Sequence, residues 1–318
     1  MDEPLIFVRA VHFAATLTAA GVALFDIFIA QPTLRSSGSA ELRALIDRRL
    51  VWIARVGLAL TLLSGAAWFI LVAQSISDQP LASLLSDGSV LRAVLLDTDF
   101  GRAWLLRLLL IVLLAALLVT DMRGAQDGRG LLKFATVLVA AGLAGTLAWA
   151  GHGIGGVGLA GVIHLAADVM HLIAAAAWVG GLLPLAFVLT VASEASSFPI
   201  ARAASLRFSD YGIVAVGVLL LTGPINTWYL AGSSRALTGT DYGLLLLVKI
   251  GFFLTMLTLA TANRFWLTPA LAASPGQRPS RDTLRQLRRN VALEIGAAAI
   301  ILSLVAVLGV TPPPGLGE

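Results

Sequence analysis

The chain has no cysteine among its 318 residues. That excludes a disulfide, a CxxC redox pair and a thiolate cage for a metal. Methionine is almost as scarce. Only Met1, Met122, Met170 and Met256 occur, so a soft metal ion has no methionine-rich track to follow. Charged residues make up 13% of the sequence, against roughly 25% in an ordinary soluble domain. No GxxxxGK[ST] phosphate loop, GxSxG elbow or HExxH helix is present, so nothing supports hydrolytic catalysis, and the expectation is a protein that is not an enzyme. The longest polar connections, 75–100 and 268–288, leave no room for an ATPase domain. Transport by this chain would be passive, ion-coupled or driven by a partner.

What the chain has in excess is apolar residues, 58% of the total. They gather in eight runs near 5–30, 50–74, 101–120, 131–150, 160–192, 208–231, 243–267 and 289–310. Runs of about 20 apolar residues are long enough to cross a bilayer as helices, and a helix satisfies its own backbone hydrogen bonds there. The fold expectation is therefore an all-α polytopic membrane protein with eight transmembrane helices and the lipid bilayer as its first partner. The first run is too long for a signal-peptide core and lacks a basic leader, so it reads as a retained helix.

The net charge of +4 does not point to nucleic acid, because the basic residues sit in short loops beside the spans. Arg35, Arg43, Arg48 and Arg49 follow the first span. Arg123, Arg129 and Lys133 follow the third, Arg202 and Arg207 the fifth, and the cluster Arg278–Arg289 the seventh. The opposite loops hold little beyond Arg92, Arg102 and Arg235. The positive-inside rule then places both termini on the periplasmic side.

The sequence also carries a weak internal repeat. Thr98-Asp99-Phe100-Gly101 with Arg107 returns as Thr240-Asp241-Tyr242-Gly243 with Lys249 at the same distance. Ser64-Gly65 resembles Thr222-Gly223, and His12, Gly21 and Phe28 align with His171, Gly180 and Phe187. Four spans per half is an even number. The repeat therefore predicts two four-helix units of like orientation, 1–151 and 152–318, together forming one integral membrane domain.

All four histidines fall toward the periplasmic face in this topology: His12, His152, His164 and His171. His164, Asp168 and His171 lie within about 60° of arc on one helix face, with Trp178 two turns further in. Two imidazoles with a carboxylate between them make a candidate metal ridge, which His12 would complete from the first span. Each histidine has a bland alternative, a hydrogen bond to a nearby carbonyl at the interface; for His152, in a Gly-rich link, that alternative costs least. Arg9, Arg107 and Lys249 share this end, and Asp168 is the obvious ion-pair partner for one of them. At the other end lie Asn263 and Glu294, the latter within reach of Arg264 or Arg289. Asn226 follows Gly223-Pro224, where a break in span six is expected, and Pro184 follows Gly180-Gly181, where tight packing is the expectation.

The segments FSDYGIVAVGVLLLTGPINTWYL, TDYGLLLLVKIG and ATANRFWLTP resemble the CopD family of bacterial copper-resistance membrane proteins. HLAADVMHLIAAAAWVGGLLPL upstream and VALEIG…LGVTPPP at the close fit the same pattern, so the likeness covers about 149–314. It implies an inner-membrane protein of copper homeostasis that moves copper from the periplasm inward, beside a periplasmic carrier of the CopC type. The pattern falls on His164, Asp168, His171, Trp178, Gly180, Gly181, Asn226, Lys249, Asn263 and Glu294. No fused carrier domain is present, so a separate donor is implied. Imidazoles with a carboxylate suit Cu(II), while two imidazoles in line would suit Cu(I). Two other readings stay open. One is a membrane haem b protein with His12 and His171 as axial ligands and Arg9, Arg107 or Lys249 at the propionates. The other is a docking subunit for a carrier. A homo-oligomer is compatible with all three.

Overall fold

The computed structural model describes residues 2–36, 40–122, 129–150, 158–192, 197–271 and 281–316. The described residues form helices and short connections, with no strand among them. Eight helices are long and apolar enough to cross a membrane. They are α1 (Asp2–Phe25), α2 (Ala40–Ser77), α3 (Asp99–Met122), α4 (Arg129–Gly145), α5 (Gly158–Val191), α6 (Phe198–Ala231), α7 (Asp241–Ala262) and α8 (Arg281–Leu308). Several run past their apolar spans. α2 begins about ten residues early, at Ala40, and α8 starts among arginines at Arg281. Such extensions keep their backbone bonds internal while their side chains stay polar.

α1 and α5 form the centre of the bundle. Their apolar windows are 72% and 67% buried, against 17–44% for the other six. Those six turn residues such as Leu63, Val112 and Leu221 outward, as lipid-facing helices do. The central pair meets at glycines. A side chain on Gly21 would collide with the backbone of Ala176 and Gly180, and one on Gly180 with that of Leu17 and Gly21. Small residues permit this backbone approach, and in lipid such packing replaces the hydrophobic drive for association. The tight packing expected at Gly180 is what the structure has there.

Two sequence expectations need correction. The segment 75–100, read as a polar connection, is mostly helical: Leu81–Asp87 and Ser89–Asp97 turn on Gly88, whose φ of 67° suits glycine. Leu84 and Val94 pack beneath it on Ala73 of α2. Span six is not broken after Gly223. α6 runs unbroken through Pro224, because a proline removes only one helical hydrogen bond and neighbouring helices absorb the change. The helices are irregular elsewhere, with π-helical turns at Asp26–Ala30 and Asn263–Leu267.

The repeated TD[FY]G string has a physical cause. Thr98 Oγ1 and Thr240 Oγ1 each accept from the backbone N–H of the glycine three residues on, capping α3 and α7. Side chains on Gly101 or Gly243 would strike the carbonyls of the preceding short helix, Ser89–Asp97 in one case and Ser234–Gly239 in the other. The motif therefore holds each helix to the turn before it.

Candidate functional site

The polar side chains divide into a histidine end, near the starts of α1 and α5, and an arginine end, near the start of α8. At the histidine end the two halves place an imidazole in similar local settings and treat it differently. His12 Nε2 lies 3.0 Å from Arg107 Nη1, and its Nδ1 lies 3.1 Å from Ser64 Oγ. A guanidinium only donates, so Nε2 must accept and Nδ1 must carry the proton. Ser64 passes its own proton to the Leu60 carbonyl at 2.5 Å. Both nitrogens of His12 are thus committed. Arg107 is anchored further by Thr146, through Oγ1 at 3.0 Å and the carbonyl at 2.8 Å. Trp68 and Trp104 meet the imidazole edge-on, at 5.4 and 6.2 Å between centroids. Arg9 lies over Trp68 at 4.6 Å and donates to the Ala150 carbonyl at 3.1 Å.

His171 is arranged in the same way on one side only. Its Nδ1 lies 2.9 Å from Thr222 Oγ1, and Thr222 donates to the Val218 carbonyl at 2.7 Å. The threonine proton being spent, Nδ1 donates and Nε2 keeps a lone pair that no described residue engages. An imidazole whose second nitrogen is held by a protein acceptor is the usual form of a metal-ligating histidine.

Further groups belong to the same end of the bundle. One turn earlier on α5, Asp168 Oδ1 accepts from Asn226 Nδ2 at 3.3 Å, while Asn226 Oδ1 is buried with no partner among the described residues. Lys249 of α7 is the cation whose charge acts on the Asp168 carboxylate, without a direct ion pair between the two. His164, 2% exposed, stacks on Tyr229 with rings 4.9 Å apart and 10° from parallel.

The ridge read from spacing is therefore present as a helix face. Among the described residues, however, no three of His, Asp and Glu come together in a group that could hold a metal. Both ring nitrogens of His12, the group expected to complete the ridge, are engaged by Ser64 and Arg107. His152 lies outside the described residues. As a resident cofactor, haem b does not fit a His12–His171 axial pair, since His12 has no free nitrogen to offer.

At the arginine end, Glu294 is not paired with Arg264 or Arg289 as its neighbours in sequence suggested. Its Oε1 accepts from Asn263 Nδ2 at 2.7 Å, and Asn263 Oδ1 accepts from Asn290 Nδ2 at 2.9 Å. Arg264 turns instead to Asp210 and Ser209, both at 2.8 Å. Sequence reading did not find Ser64 and Thr222 as imidazole partners, although both lay in the repeat, 52 and 51 residues from their histidines. Tyr229, inside the family-like segment that ends TWYL, was not singled out as a partner of His164.

Eight apolar helices with buried polar centres at both ends define a multi-pass membrane protein. Residues 1–162 match the family described as Copper resistance protein D-like, N-terminal domain, and residues 202–308 match Copper resistance protein D. The chain is 31% identical to Copper resistance protein D of Pseudomonas syringae pv. tomato, with 98% of each chain covered. It is 29% identical to inner membrane protein YebZ of Escherichia coli (strain K12), over 84% of this chain and 85% of that one. It is also 28% identical to copper transport protein CutJ of Bacillus subtilis (strain 168), over 96% of this chain and 52% of that one. No solved structure matches. The chain belongs to the copper resistance protein D family.

Proposed function

We propose that the protein is a copper-binding inner-membrane protein of copper homeostasis and resistance, taking a copper ion at the histidine end and moving it toward the cytoplasm. One observation carries the site: His171 is oriented through Nδ1 by Thr222 while its Nε2 stays open. Asp168, one turn before His171, and the orphan oxygen of Asn226 bonded to it are the candidate oxygen donors, and His164 is the second imidazole. Nitrogen and oxygen donors favour Cu(II), and a two-imidazole arrangement would serve Cu(I). Because no three such groups are clustered among the described residues, the site closes around the ion as it binds, with the Asp168 carboxylate turning to join it. The arginine asymmetry supports periplasmic termini and a periplasmic histidine end, where a CopC-type carrier would dock.

The test is copper bound per chain in the purified protein, for wild type, His164→Ala/His171→Ala and His12→Ala. The double variant is expected to lose its copper and His12→Ala to keep it. A double variant that retains a full equivalent would sink the site. A wild type that binds no copper but captures a carrier would favour the docking subunit. A Soret band near ~400–430 nm that disappears with His171→Ala would favour haem b.

A further inference from the structure

Glu294 sits mid-way along α8, 2% exposed, and no cation answers it among the described residues. Burying an ionised carboxylate in a membrane bundle without a counter-charge is strongly unfavourable, so groups of this kind are usually neutral or functional. The charges on the helices packed around α8 are occupied elsewhere. Arg264 shares the cavity but is bound to Asp210 and Ser209. On α1, Arg9 packs at the far end of α8 against Gly309, and Asp26 beyond it is bonded to Gln31. On α5 and α7, Asp168, His171 and Lys249 belong to the histidine end. The partner of Glu294 is a neutral amide whose orientation is fixed, because Asn290 holds the Asn263 oxygen and leaves its N–H to the carboxyl.

This amide sits at the first residue of the π-helical turn Asn263–Leu267, a distortion common where a helix has been reshaped for a site. Beside it is a cavity of about 50 Å³, lined among others by Glu294, Asn263, Arg264, Ser209 and Trp178. At on the order of 10–15 Å³ per water on this measure, it has room for about three to five. One wall reaches Ser209 and Arg264, whose partner Asp210 is exposed at the arginine end. The other is Trp178, two turns along α5 from His171.

We propose that Glu294 is a proton-exchange site, filled and emptied through this cavity from the arginine end. The exchange balances simply. A hydronium ion in the cavity gives its proton to the carboxylate and becomes water, and the reverse step returns it to the same side, while the Asn263 N–H bond to Oε1 is kept. A further consequence rests on the transport reading above: the charge of Glu294, set by protonation from the arginine end, changes the field that an inward-moving copper ion crosses, so transport responds to pH at the arginine end.

The exchange is tested without copper. Infrared difference spectra of the reconstituted protein at stepped pH should show a protonated-carboxyl band that is absent in Glu294→Gln. Asn263→Leu, which keeps the carboxyl and removes its donor, should retain the band at a shifted frequency. A band absent from wild type at every pH, or unchanged in Glu294→Gln and unmoved in Asn263→Leu, overturns the proposal. The coupling is tested by copper uptake into proteoliposomes with pH varied on the arginine side. Wild type should respond and Glu294→Gln should not, with copper bound per chain the same in both. An equal pH response in the two overturns the coupling. If wild type moves no copper while its band still titrates, the transport reading fails and the proton site stands.

Discussion

Thr222→Val separates a ligand histidine from a structural one. Valine has nearly the shape of threonine, so the packing of α6 on α5 survives while the acceptor for His171 Nδ1 disappears. Thr222 is only 8% exposed, so water cannot readily take the place of the hydroxyl. Two costs follow. The Nδ1 proton loses its partner, a penalty of about 1–3 kcal/mol for a buried donor. The ring can escape that penalty by moving the proton to Nε2, which is the atom that must be bare to meet a metal. Loss of an outer partner of a metal histidine typically weakens binding about 10–100-fold, or about 1.4–2.7 kcal/mol. Copper affinity is measured by competition with a chelator in detergent, with a thermal unfolding curve for each variant to show that the fold is intact. Ser64→Ala is the paired control, because it removes the same bond from His12 and should leave copper affinity within about twofold. Thr222→Val binding copper as wild type does, or Ser64→Ala losing as much, would show that His171 is not a ligand.

Gly180→Ala should destabilise the bundle by at least the 1–3 kcal/mol typical of overpacking, because the obstacles are backbone atoms of Leu17 and Gly21 that cannot rotate away. Gly212→Ala, with nothing within 4 Å of the added methyl, should leave detergent thermal stability unchanged or raised. For topology, single cysteines can be placed at will in a chain that has none. An impermeant thiol reagent applied to intact cells should label position 88 and spare position 280, and the reverse pattern would invert the orientation.

The eight spans were legible because a run of apolar residues long enough to cross a bilayer has few other uses. Their ends were less so, since α2 and α8 continue as helix into polar sequence where hydropathy gives no signal. The helices within 75–100 were missed because they are short, and a polar composition describes a surface helix as well as a loop. Pro224 misled for a related reason: the local rule that proline breaks helices yields when neighbouring helices hold the segment in place. At the site, spacing along α5 correctly put His164, Asp168 and His171 on one face, since that depends on helix geometry alone. Whether His12 joins them depends on which way α1 faces across the bundle, and on that spacing is silent. The same limit hid the bond from Asn263 to Glu294, where Arg264 seemed the natural partner until the π-helical turn sent it to Asp210.

The contrast between the two imidazoles comes down to one pair of matched positions, Arg107 and Lys249. Arginine presents five donors on a rigid plane and stays charged under any condition the protein meets. Fixed by both oxygens of Thr146, it can point a donor at His12 Nε2 permanently, which closes that imidazole to any electrophile. Lysine carries a compact charge on a flexible stem, and here that charge acts on Asp168, a carboxylate one turn from His171 for which the first half has no equivalent at its aligned position, Arg9. Among the described residues no donor reaches His171 Nε2. An Asp at 168 and a Lys at 249 thus do in the second half what Arg9 and Arg107 prevent in the first. They leave one imidazole lone pair uncovered next to a movable charge, and that is the minimum a site needs if it must both accept a metal ion and let it go.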